Sequence, residues 1–119
     1  MEEIGRRRRS QPAPPHIVFE ALTNPDRPGA RPWLVLLDDE QRPHVVRREP
    51  MSTVVWLSLW PKRPDAVIEF DLAADGAGGT DLGWTLLVEN PIPDAALVGH
   101  LRKRMNVLIN ADLRRSFGQ

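Results

Sequence analysis

The sequence contains no cysteine, so a disulfide framework and a thiol nucleophile are both excluded. It has no net charge, with 16 basic and 16 acidic side chains in 119 residues. A nucleic-acid binder usually carries a basic excess as well as a basic patch, so nucleic acid is not expected as a partner. No apolar run approaches the roughly 18 residues of a membrane span. The N-terminal stretch MEEIGRRRRSQPAP has no apolar segment of the secretory kind, which makes the cytoplasm the expected location. The three histidines, His16, His44 and His100, are far apart and have no histidine partner at helical spacing. A metal site needs convergent ligands, so neither metal nor cofactor is expected. The glycine-rich ADGAGGT lacks the lysine and the strand-to-helix context of a phosphate loop and reads as a hairpin turn. There is no internal repeat and no linker, and the length suits one domain over 1–119.

The charge that is present is unevenly spread. Arg6 to Arg9 form the one dense run. They read either as a solvated edge strand, where charge blocks aggregation, or as an arm for phosphate or lipid; the edge strand is favoured. Near the C-terminus, Arg102, Lys103, Arg104, Arg114 and Arg115 face Asp112 as the lone acid.

Pro14 and Pro15 suit a helix start, where their missing N–H groups would be unpaired anyway. Asn24-Pro25 ends it, giving a short helix near 14–23 with Val18, Phe19 and Leu22 on one face. PDRPGARP is loop. Strands are predicted over WLVLL (33–37), HVVRRE (44–49), TVVWLSLW (53–60), AVIEFDL (66–72) and DLGWTLLVE (81–89), besides a short N-terminal one. The last two alternate strictly. Ile68, Phe70 and Leu72 share one face and Glu69 and Asp71 the other; Leu82, Trp84, Leu86 and Val88 share a face likewise. In 53–60 two faces compete. If Val55, Leu57 and Leu59 point inward, Trp56 and Trp60 point out and could form a partner surface. A long helix follows Pro93, capped by Asp94 and running to about Phe117. At about 100° per residue, Leu101, Met105 and Leu108 make an apolar stripe, and Asp112 falls on it. A desolvated carboxylate must be paired, hydrogen-bonded or protonated. Asp112 is therefore either the polar end of a ligand cavity or a rim residue paired with an arginine such as Arg6–Arg9 or Arg47.

Short loops between successive strands imply an antiparallel meander, and the long helix can bury its stripe only by lying across that sheet. This is an α+β fold of about six strands. Three stretches resemble the START-like (SRPBCC) superfamily, and more closely its small bacterial branch of polyketide-cyclase-like and heat-shock-protein-activator-like domains. APPHIVFEALTNP resembles the first-helix signature. GGTDLGWTLLVEN resembles the last strand, and PDAALVGHLRKRMNVLINADLRRSF the helix gripped by the curved sheet. The likeness spans nearly the whole chain. It departs where PDRPGARP replaces a second short helix and where the expected tryptophan cluster is reduced to Trp33. The resemblance implies a helix-grip fold whose cavity, between sheet and helix, takes a small apolar or lipid-like ligand without covalent chemistry. Its lining would be Phe70, Trp84, Leu86, Leu101, Met105 and Leu108, with Asp112 at the polar end. Two other classes stand beside it. One is a co-chaperone-like or homodimeric interaction protein with a filled core. The other is a cyclase- or aromatase-like enzyme, for which Asp112 is the visible acid–base group.

Overall fold

A computed structural model describes residues 1–118. Five strands form one antiparallel sheet in the order β1-β5-β4-β3-β2. β1 is Glu2–Gln11, β2 Val45–Glu49, β3 Thr53–Leu57, β4 Val67–Ala74 and β5 Thr80–Val88. Strands β2 to β5 are a meander, and β1 closes against β5 as an edge strand. Helix α1 (Pro15–Thr23) starts at Pro14-Pro15 and stops at Asn24. Helix α2 (Ala95–Val107) is capped by Asp94, whose side chain accepts from the Leu97 N–H at 2.8 Å. It continues without a break through a wide π-helical turn (Leu108–Leu113) into one last turn, α3 (Arg114–Ser116). Together they form a rod of about 33 Å.

The alternation expected of β4 and β5 holds. Ile68, Phe70 and Leu72 are buried, as are Leu82, Trp84, Leu86 and Val88, while Glu69 and Asp71 face solvent. The register aligns Val54, Phe70 and Trp84 across three strands, and Trp56, Ile68 and Leu86 beside them. The hairpin over 75–79 is held by the Asp75 carboxylate, which accepts from the N–H groups of Ala77 and Gly79. Gly76 and Gly78 there have φ of 83° and 88°, values that favour glycine.

One expectation needs correction. The sheet has five strands, not six, because Trp33–Leu37 is not a strand. Its backbone groups find partners outside any ladder. The Val35 N–H bonds to the Trp33 carbonyl, the Leu37 N–H to Glu40, and the Val35 carbonyl to Arg104. The segment covers one side of the core with buried Trp33 and Leu34, and leaves Val35 exposed. The facing of 53–60, open in the sequence, is decided by the fold. Val54 and Trp56 point inward, and Leu57 is 41% exposed. β3 ends at Leu57, and a turn buries Leu59 and Trp60 too, so neither tryptophan offers an exposed partner surface. Trp56 wins its place through contacts the sequence does not display. It stacks on Trp33 with centroids 6.2 Å apart and meets Phe70 edge-on at 4.7 Å. Its indole N–H donates to the Leu22 carbonyl in the last turn of α1, at 2.9 Å. That carbonyl is one of the acceptors a helix end leaves without an intrahelical partner.

Candidate functional site at the sheet–helix interface

The sheet and the long helix bring the six apolar candidates into one buried cluster. Phe70, Trp84 and Leu86 come from the sheet; Leu101, Met105 and Leu108 come from the helix. None is more than 2% exposed. Apolar packing of this kind contributes about 25 cal/mol per Å² removed from water, so these residues hold the two layers together whatever else they do. Two polar atoms in the cluster remain unmatched. The indole N–H groups of Trp33 and Trp84 are buried and have no acceptor among the described residues.

Asp112 stands at the far end of this interface, with its side chain 16% exposed. It borders a small groove of about 180 Å³ with Arg31, Pro32, Trp33, Val35 and Arg115. Its cation neighbour is Arg115, one helical turn on, at 3.8 Å and not one of Arg6–Arg9 or Arg47. Burial pushes the Asp112 carboxyl above the usual range, and the charges of Arg115 and Arg104 offset this only partly. A wheel drawn at a fixed angle misplaces this residue. The π-helical turn holds more residues per turn, so each advances through a smaller angle and Asp112 lags behind its expected position.

The best-satisfied charge in the interface lies two turns earlier on the helix, on residues not expected in the site. Arg104 and Glu40 form a two-pronged pair. Arg104 Nε donates to Oε2 at 2.8 Å, and Nη2 donates to Oε1 at 2.7 Å. The Glu40 side chain is 0% exposed. Its oxygens also accept from the Trp60 indole at 3.0 Å and from the Leu37 N–H at 2.9 Å. Burial alone would raise this carboxyl. The hydrogen bonds from Arg104, Leu37 and Trp60, with the Arg104 charge, outweigh it and hold Glu40 below its ordinary value. A carboxylate and a guanidinium so matched fix the loop over 33–41 onto the helix. The signal for Arg104 was its position at the border of the apolar stripe. Glu40 carried no signal, because it reads as one more acid in the turn DDEQ.

Beside this pair lies a pocket of about 270 Å³, the most enclosed of the grooves flanking the interface. Trp60, Leu97 and Leu101 form its apolar wall; Asp39, Lys62, Arg63 and His100 surround them. Arg63 is held in place by Asp65 and by the carbonyls of Glu89 and Pro91, at 2.7 to 2.9 Å. Trp60 and Leu101 belong to the core cluster as well, so the inner wall of this pocket is the surface of that core. Among the expected lining residues Leu101 reaches this pocket and Asp112 the distal groove. Phe70, Leu86, Met105 and Leu108 border none of these openings. A Ser58–His44–Asp112 arrangement does not form: Ser58 is buried with its hydroxyl bonded to the backbone of Trp60, while His44 is exposed. No three metal-ligating side chains cluster among the described residues, and no helix there is long and apolar enough to cross a membrane.

No family model matches the sequence. No curated protein matches it either. The fold does match solved structures. The protein SSP2350 from Staphylococcus saprophyticus superposes with a TM-score of 0.67 at 15% identity, over 99% of this chain and 92% of that one. The Aha1 dimer from Colwellia psychrerythraea gives 0.66 at 19% identity, covering 96% and 94%. CalU16 from Micromonospora echinospora gives 0.65 at 17% identity, covering 88% and 70%. Identities this low speak to architecture alone, and the architecture is a helix-grip fold like that of START-like (SRPBCC) proteins.

Proposed function

We propose that the protein binds a small, mainly apolar ligand at the sheet–helix interface, entering through the pocket between Trp60, Leu97 and Leu101. The observation that carries this reading is the apolar wall of that pocket, in which Trp60 and Leu101 belong to the buried core and Leu97 packs against it. A pocket near 270 Å³ lies just below the usual span of about 300–1,000 Å³ for ligand sites, so the ligand is small. Phe70, Trp84, Leu86, Met105 and Leu108 pack in the core behind Leu101, and Asp112 lies on the separate distal groove, so a ligand reaches them only if the core yields. The rim cations Lys62 and Arg63 suit a polar head left at the surface. Native mass spectrometry of the protein purified from its host, with extraction of anything bound, tests the reading directly. A small-molecule adduct is expected, together with saturable binding of anilinonaphthalene sulfonate. Leu97 is only half-buried, so Leu97→Glu leaves the fold intact and should weaken that binding at least tenfold. A bare mass with no dye binding would overturn it.

One observation favours a second reading, self-association. β2 is a free sheet edge whose Val46 is 54% exposed, beside a strand whose Leu57 is 41% exposed. Exposed apolar residues on a free edge are a ready pairing surface. Light scattering across a dilution series checks it: a mass of twice the monomer supports the dimer, and a constant monomer removes it.

A further inference from the structure

The arginine run of β1 splits into two populations, and the split marks a site apart from the apolar pocket. Arg6 and Arg8 point to the outer face of the sheet. Arg6 lies 3.7 Å from Glu3, and Arg8 pairs with Asp71 and Asp81. Arg7 and Arg9 point the other way, toward the long helix, and make no ion pair among the described residues. They line a groove of about 530 Å³ between β1 and α2. Across it stand Arg102 and Lys103, also without an acidic partner there. No carboxylate borders this groove.

Its remaining polar lining is Asn106 and Asn110. The Gln11 amide donates to the Asn110 side-chain oxygen at 3.3 Å, and Asn110 donates in turn to the Asn106 oxygen at 3.3 Å. This relay uses the oxygen of each asparagine and leaves the Asn106 NH₂ free among the cations. Gln11 is fixed at its start, 1% exposed and bonded to the Ile109 carbonyl of the π-helical turn. Gly5 provides room for Arg102 to lie against β1: a Cβ there would come within 2.7 Å of the Arg102 Cγ. Four unpaired cations around an amide donor repel one another, so the groove carries an electrostatic cost until an anion enters. Its volume lies inside the range of small-molecule sites, and Val107 and Ala111 supply a modest apolar floor.

We propose that this groove binds a soluble organic anion of the phosphate-ester class carrying two or more negative charges. Arg7, Arg9 and Arg102 match phosphate oxygens in fork geometry, Lys103 adds a point charge, and the Asn106 amide donates a neutral hydrogen bond. The test is a titration of ¹⁵N-labelled protein with pyrophosphate at constant ionic strength, followed by NMR. Saturable shifts at Arg7, Arg9, Arg102 and Asn106 are expected. Arg102→Gln and Arg9→Gln should each raise the dissociation constant about tenfold or more. Both side chains are exposed, so neither change threatens folding. Arg6→Gln removes the same charge from the outer face and should change affinity less than twofold. Shifts that grow without saturating would overturn the proposal, as would equal weakening by Arg6→Gln, which would mean diffuse attraction only. Absence of a saturable pyrophosphate response, with cosedimentation on phosphatidylserine-containing vesicles, would overturn it in favour of a membrane surface.

Discussion

Two carboxylates at the grip interface solve the problem of an acid near an apolar core in opposite ways. Glu40 has a wholly enclosed side chain, yet both of its oxygens are answered: two hydrogen bonds from Arg104, one from Trp60 and one from the backbone of Leu37. Asp112 is only partly enclosed, but its ion-pair partner is 3.8 Å away on a side chain that is 72% exposed. The more deeply buried acid is therefore the one held in its charged form, and the shallower acid is pushed toward its neutral form. Depth of burial alone does not order the two. The count and geometry of donors does.

The largest expected effect comes from breaking the satisfied pair. Glu40→Gln leaves Arg104 buried without its counter-charge, and such a loss costs about 3 kcal/mol or more. Urea denaturation of the single and double variants checks this. Glu40→Leu with Arg104→Met should recover most of the loss, since replacing a buried pair as a unit by apolar groups is often close to neutral.

A pH titration of stability sharpens the contrast. The folded Glu40 carboxyl sits below its unfolded value of about 4.3. Its contribution is thus present above that value and lost as pH falls through the folded one. Asp112 has the opposite sign. Its folded carboxyl sits above the unfolded value of about 3.9, so the native state is favoured below about 3.9 and the advantage is lost as pH rises through the folded value. Asp112→Asn should therefore raise stability at neutral pH, by on the order of 0.5 kcal/mol. It should make no difference in strong acid. Thermal melts of the two proteins at pH 7 and pH 3 measure both arms, and a variant less stable at pH 7 would contradict the assignment.

The smallest effect is expected from Arg115→Ala. An exposed pair of this length is worth less than about 0.5 kcal/mol, so the melting temperature should barely move. A larger loss would mean that Asp112 is anchored as firmly as Glu40.

Much of this fold is legible in the chain as written. Two-residue alternation identifies the inner faces of β4 and β5, because a strand presents successive side chains to opposite sides whatever its neighbours are. Proline pairs locate α1 for an equally local reason: they remove donors and restrict the preceding residue. The stripe of Leu101, Met105 and Leu108 predicts that the long helix lies on the sheet. These are properties of one segment at a time. What the tertiary structure decided depends on partners far away along the chain. Trp33–Leu37 has the composition of a strand, but no sheet edge pairs with it, and its backbone is satisfied by local turns and by Arg104. The inward turn of Trp56 depends on Trp33, Phe70 and the Leu22 carbonyl. Glu40 is a turn residue until Arg104, 64 positions later, encloses it. A wide helical turn, held in part by Gln11 from the opposite end of the chain, decides how far Asp112 faces the core. Local sterics and periodicity are written in the sequence itself; the pairing of buried charge is not, because its free energy belongs to two groups that only folding brings together.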